Sequence, residues 1–341
     1  MSEEIKQADK NKCIACGSPY ITNGNMSLCA ECREHYINFP IPNKIKIAAA
    51  VIILIVIFSL ITFPTQINSV ASLLKAKKAI EQKEFVTADK HLTKYLSKYP
   101  EHTEANAYML ISSYYNNDIE KLSKTYQILL DKKIEDEDLF KQLDTVMQLA
   151  IINFESDSLI SYVKKMDSTI SIKNKLISYL HVNPTDLSAS YFLANAYLSD
   201  KDYLGAERLF DSLHHEYPNS IEFLDGLVSV KRLLKKNDEA LHLCNQALLI
   251  NKQFVSIIAQ KARTLIAMNK DAASLLLSQK AVALKPKDTY ALTTLAIAYH
   301  YNNNTNERNK IMSSLKGNMT AQDSFYVNMA KDIFSGKDKL R

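Results

Sequence analysis

The chain has no tryptophan and only six glycines and eight prolines in 341 residues. Few glycines leave little material for the loops that cradle phosphates or bring a backbone close to a cofactor. No P-loop, G-x-G-x-x-G, H-E-x-x-H or G-x-S-x-G occurs, so the common nucleotide-binding, metalloprotease and serine-hydrolase signatures are missing. Charge of one sign is also missing. The formal net charge is +5, and residues 1–44 balance five Lys/Arg against five Asp/Glu. No segment is basic enough for a nucleic-acid footprint, and no nucleic-acid partner is expected. Apolar residues make up 47% of the chain, which excludes disorder as its overall state.

What is present falls into three parts. Four of the five cysteines form two pairs, Cys13-x2-Cys16 and Cys29-x2-Cys32. A C-x-x-C pair lets two thiolates reach one ion from a single turn, and two pairs complete a tetrahedral site. One structural Zn2+ is therefore expected, with no open coordination position for catalysis. Asn23-Gly24 between the pairs is a hairpin signal. The order of knuckle, hairpin and knuckle resembles the zinc-ribbon family over residues 13–36. Residues 1–12 read as a disordered tail. His35 reads as solvated, since four thiolates fill the site.

The second part is Ile47–Phe63, IAAAVIILIVIFSLITF, uncharged and apolar on every face. With Ile45 and Lys46 it predicts one transmembrane helix over 45–63, closed by Pro64, with linkers at 37–44 and 64–68. Lys44 and Lys46 abut its N-terminal end. Together with the reduced thiolates they favour a cytoplasmic N-terminus and an extracytoplasmic C-terminal region.

The third part is periodic. Pro184, Pro218 and Pro286 lie on a 34-residue step, as do Ala194, Val228, Ala262 and Ala296, and also Ala206, Ala240 and Ser274. A helix–turn–helix unit of this length buries its apolar face by stacking on copies of itself. The pattern resembles the tetratricopeptide repeat (TPR) family, most closely over 187–300 and more loosely over 69–316. The resemblance implies a mostly α solenoid of antiparallel helical hairpins whose small residues mark close helix crossings. From Pro100 to Pro184 is 84 residues, 16 more than two units, so an irregular helix is expected near 135–154. A capping helix is expected over 321–335.

The resemblance also implies that the second, fifth, ninth and twelfth positions of each first helix face a concave groove. These include Tyr191, Asn195, Asp225, Ser229, Arg232, Arg263, Thr293 and His300, with Arg232 and Arg263 forming a modest cationic patch. The implied partner is a protein or peptide, with the bilayer as the second contact and no small-molecule substrate. Cys244 reads as a packed apolar residue and His214-His215 as solvated side chains. The expected function is a membrane-anchored TPR adaptor or scaffold, not an enzyme. The alternatives are a TPR docking platform facing the cytosol and a zinc-dependent regulatory protein of a membrane complex.

Overall fold

The computed structural model describes residues 12–19, 28–37, 42–315 and 319–341, with the backbone alone described at 60–68. The chain divides into two compact units, Met1–Ile67 and Asn68–Arg341. Most of the tail expected at 1–12 and the hairpin expected at Asn23-Gly24 lie outside the described residues.

In the first unit the described residues contain no strand. Lys12 and Pro19 form one isolated antiparallel bridge, and no strand of the zinc-ribbon reading lies among the described residues. The second cysteine pair instead leads into a helix, α1 (Ala30–Ile37). Glu31 in its first turn and His35 in its last complement the helix dipole.

Helix α2 (Asn43–Glu81) follows. Its large apolar side chains from Ile45 to Phe58 are exposed. Among the described residues no helix is long and apolar enough to cross a membrane, so the spanning helix expected over 45–63 is not found. Ile47–Ser59 is the part of the uncharged stretch whose side chains are described. Pro64, expected to close the helix, lies inside α2. A proline removes one intrahelical hydrogen bond without always ending the helix.

The second unit is a TPR-like helical solenoid. The end of α2 pairs with α3 (Phe85–Leu96), and α4 (Thr103–Tyr115) pairs with α5 (Ile119–Leu129). Four further hairpins follow after an interruption: α9 (Leu187–Ser199) with α10 (Tyr203–Glu216), α11 (Ile221–Leu233) with α12 (Asn237–Ile250), α13 (Val255–Ala267) with α14 (Asp271–Leu284), and α15 (Thr289–Tyr301) with α16 (Thr305–Ser314). The last helix is α17 (Ala321–Phe334), opened by a capping box between Thr320 and Asp323.

Each hairpin turns in the same way. Lys83, Asn117, Lys201, Lys235, Asn269 and Asn303 have positive φ. In every case the next residue donates its N–H to the carbonyl five residues back, as Asp202 does to Tyr197 at 2.9 Å and Lys236 to Lys231 at 2.8 Å. This is the Schellman arrangement, which satisfies the last carbonyls of the first helix. Asn or Lys takes the place that glycine commonly holds. Asp118, Asp202 and Asn304 then cap three of the second helices through their side chains.

The small residues sit at the crossings. Ala194 and Ala206 are fully buried, as are Ala262 and Ser274. The series extends to Ala330 on α17, also fully buried, so α17 occupies the first-helix position of a further unit. Gly226 serves the same purpose in α11: a Cβ there would lie 2.3 Å from the buried ring of Phe210. Arg308, which departs from the small-residue pattern, is half-buried, with its guanidinium 5.0 Å from the Phe334 ring centroid.

The interruption holds α6 (Glu137–Ala150), a 3-10 turn (Ile151–Asn153), α7 (Asp157–Lys165) and α8 (Ile172–Val182). Helix α6 packs on α4, and α8 packs on α9. The irregular segment near 135–154 is thus a helix that ends in a tighter turn and has no second helix directly paired to it.

Candidate functional site

The cysteine knuckles are built locally. Gly17 N–H donates to Cys13 O at 2.8 Å and Cys13 N–H to Ser18 O at 2.9 Å. Gly17 has φ +74°, a conformation that only glycine adopts at little cost. On the other pair, Cys32 N–H points to Cys29 Sγ at 3.4 Å, and Arg33 N–H bonds Cys29 O at the start of α1.

The four sulfur atoms of Cys13, Cys16, Cys29 and Cys32 lie within 4.8 Å of one another. Cys16 Sγ and Cys29 Sγ are 3.7 Å apart, and all five cysteines of the chain are free. That separation is far from the about 2.05 Å of a disulfide. It matches the edge of about 3.8 Å that a tetrahedron with 2.3 Å metal–sulfur bonds would have. The thiols also differ electrostatically. The Cys29 backbone N–H, helped by those of Cys16 and Ala15, pulls Cys13 down to about 6. Hydrogen bonds to Cys16 and Cys29 push Cys32 upward. Gathering four thiolates is unfavourable without a cation, and this cluster can hold a metal ion.

The groove residues are less exposed than the repeat pattern implies. Arg263 is 1% exposed. Its Nε donates to Thr294 Oγ1 at 2.8 Å and its Nη2 to Thr293 Oγ1 at 3.3 Å. Its guanidinium lies 4.1 Å from the Tyr290 ring centroid, and burial lowers it to about 10. It reaches Met329 Sδ on α17 at 3.5 Å. The cationic patch expected from Arg232 and Arg263 is therefore not a surface feature, because Arg263 is used to tie α13, α15 and α17 together. Arg232 is half-buried, and its Nε has no hydrogen-bond partner.

Asp225 accepts from Ser256 Oγ at 2.7 Å and from Gln260 Nε2 at 3.0 Å, while Ser229 Oγ donates to Gln260 Oε1 at 2.9 Å. Burial pushes Asp225 upward against these bonds. Gln260 thus links α11 to α13. Thr293 is fully buried. Tyr191 packs beside Phe210 and Phe223, and burial raises its hydroxyl. His300 lies 3.2 Å from an Arg308 nitrogen, and burial before that charge lowers it. Asn195 is half-buried and lines a cavity of about 230 Å³ with Leu159, Ile172 and Phe192. Helix-to-helix hydrogen bonding thus consumes much of the face between Asp225 and Thr293. Cys244 is fully buried and raised to about 12 by burial. His214 is half-buried with an unpartnered Nδ1, whereas His215 is exposed.

Sequence reasoning missed a joint. The hairpin turns of the early repeats meet the connections of the later ones. Lys252 N–H donates to Lys83 O at 3.0 Å, and Lys83 Nζ to Leu249 O at 2.9 Å. Thr87 and Gln253 exchange two hydrogen bonds of 2.9 Å. Asn251 Nδ2 reaches Tyr115 O at 2.6 Å, and Lys285 Nζ reaches Asn116 O at 3.1 Å. A cavity of about 390 Å³ opens there, lined by Ile80, Ile111 and Val146 from one side and Asn219 and Ile250 from the other. A hairpin pattern carries no signal for this meeting, since its partners lie more than 130 residues apart in sequence.

No family model matches the chain, and no curated protein matches it. Solved structures do resemble it. A thermophilic TPR protein from Thermus thermophilus is 16% identical, with a TM-score of 0.42 over 47% of this chain and 88% of that one. A tetratricopeptide repeat protein from Parabacteroides merdae is 13% identical, with a TM-score of 0.41 over 77% and 99%. Yeast Tom70 is 14% identical, with a TM-score of 0.37 over 74% of this chain and 62% of that one. At such low scores the description rests on the chain's own geometry, a TPR-like solenoid together with a four-cysteine cluster.

Proposed function

We propose that this chain is a non-enzymatic scaffold: a solenoid that binds a protein or peptide, fixed to a membrane by the apolar part of α2 and carrying one structural Zn2+ on its four cysteines. The observation that carries the reading is the stack of 34-residue hairpins. Such a stack presents one long surface with repeated side-chain positions and gains affinity from a few anchors spread along it. Asn195 and Ser199, beside the apolar cavity on α9, are the more accessible anchors, because Arg263 and Thr293 are already engaged.

Membrane attachment is supported by the uncharged run in the sequence, Ile47–Phe63, and by the exposure of its first apolar side chains. An exposed apolar row of that kind is unfavourable in water at about 25 cal/mol per Å². Zinc is supported by the all-sulfur donor set and by the 3.7 Å separation of Cys16 and Cys29. When bound, the ion supplies folding energy to a module too small for a core of its own. Reduced thiolates support a cytoplasmic cysteine module.

The test is photo-crosslinking from Asn195 and Ser199 in the full-length protein in native membranes, with zinc content measured on the same preparation. The expected result is one crosslinked protein band that survives competition by unrelated membrane protein, one zinc per chain, and loss of membrane association when Ile52, Leu54 and Ile55 become serine. No specific crosslink from either site would overturn the scaffold reading. Zinc well below one equivalent would overturn the metal assignment alone.

A further inference from the structure

We propose that Glu222 is a pH-sensitive clasp, which joins the early repeats to the later ones while its carboxyl group is protonated and loosens that joint when it ionises. Glu222 stands at the second position of α11, where a groove-facing residue is expected, yet it is 3% exposed. Three segments far apart in sequence converge on it. Tyr114, at the end of α4, donates its hydroxyl to Oε2 at 3.0 Å. Asn153, in the 3-10 turn of the interruption, donates to Oε1 at 2.9 Å. Ser220, which caps α11, donates to Oε2 at 2.9 Å.

All three partners are neutral. The titratable groups facing Glu222 from the packed elements are Tyr114 and Tyr115 on α4 and Tyr191 on α9. Asp225 lies one turn further along α11 and faces Tyr191 as well. No ion pair to Glu222 is found among the described residues. A charge buried in such surroundings has nothing to offset its lost hydration. The neutral acid is well served, since the Tyr114 and Ser220 hydroxyls can reverse roles and accept its proton. Burial accordingly raises Glu222 from its ordinary value of 4.5, with the bonds from Asn153 and Ser220 opposing.

The linkage has one sign. The folded state holds its proton to higher pH than the unfolded state does. The contribution to the joint is complete below 4.5 and is lost as pH rises through the raised value. Relief of the buried charge requires water to reach Glu222. That draws α4 from α11 and releases the contacts at Lys83, Tyr115 and Asn251, together with the cavity between them.

The test is hydrogen exchange of the full-length protein in detergent micelles from pH 5 to pH 8, corrected for intrinsic exchange and read at the Lys252 amide. Wild type is expected to lose at least about tenfold in protection across this range, one pH unit of linkage. Glu222→Gln, a neutral group of the same shape, is expected to stay protected throughout. Tyr114→Phe removes one donor to the ionised form and is expected to raise the midpoint of the loss above that of wild type. An equal loss in wild type and Glu222→Gln would overturn the proposal. So would a flat wild-type profile, a Glu222→Gln chain that fails to fold at pH 5, or an unmoved midpoint in Tyr114→Phe.

Discussion

The hairpins between Leu187 and Ser314 and the stretch between Asp131 and Val182 are made of similar helices, but their ends are built differently. In the regular hairpins each first helix closes on a residue with positive φ, and the next residue bonds five positions back. Such a turn fixes the angle between the two helices, and an alanine or glycine at the crossing lets them approach. In the interruption the turn after α5 has Asp131 with positive φ, but no short turn of the regular kind joins α7 to α8. There Tyr179 Oη on α8 donates to Asp186 Oδ2 at the cap of α9 at 2.8 Å, and Ser156 Oγ at the cap of α7 donates to the same atom at 3.1 Å. Regular repeats are therefore fused by a repeated turn and crossing, and the interruption is tied by an apolar cluster of Leu159, Leu176, Tyr179, Ala189 and Leu193 together with these hydrogen bonds.

That contrast fixes the order of mutational effects. Gly226→Val places a branched side chain against Phe210, which is fully buried and has nowhere to go. A loss of about 3 kcal/mol is expected in urea unfolding of the full-length protein followed by circular dichroism. A loss below about 1 kcal/mol would mean that the regular block yields as readily as the interruption. Ala206→Leu tests the neighbouring crossing with Ala194, and there a loss of about 2 kcal/mol is expected, seen as a lower thermal midpoint.

On the other side, Tyr179→Phe removes the hydrogen bonds to Asp186 and Ser158 while keeping the ring in place. The expected cost is about 1 kcal/mol, read as faster amide exchange confined to α8 and the start of α9. Spread of that effect into α13 would erase the distinction between fused and tied regions. The smallest change is a gain. Lys235 has φ +60°, so Lys235→Gly removes unfavourable left-handed backbone at the α11–α12 turn. It should raise the stability of the regular block by up to about 1 kcal/mol. A loss would show that the lysine side chain itself stabilises the turn.

Much of the repeat architecture was legible in the sequence because small residues at a fixed step have one economical explanation, helices crossing closely. The same step places Ala330 on α17. The turns were less legible: Lys and Asn at 201, 235, 269 and 303 keep the 34-residue step, but without glycine they carry little positive-φ signal. The four-cysteine cluster was legible from spacing alone, since two residues between thiols set a single turn. The helix after Cys29 was not, because Ala30–Ile37 lacks an apolar stripe. The groove was misjudged at Arg263 and Thr293, both buried. Position on a first helix says which face a side chain leaves from, but not whether a neighbouring helix covers that face.

By itself the sequence determined the period, the crossings and the cysteine pairing by knuckle. These follow from local chemistry: steric demand at a crossing, the reach of two thiolates in one turn, and the caps that start and stop helices. Only the tertiary structure decided that Lys83 meets Leu249 and Lys252, that Arg263 lies beneath Tyr290, and that Glu222 is enclosed by Tyr114, Asn153 and Ser220. Those contacts depend on small rotations between successive hairpins, summed through an interruption that has no repeat to fix its angle, and no residue spacing records that sum.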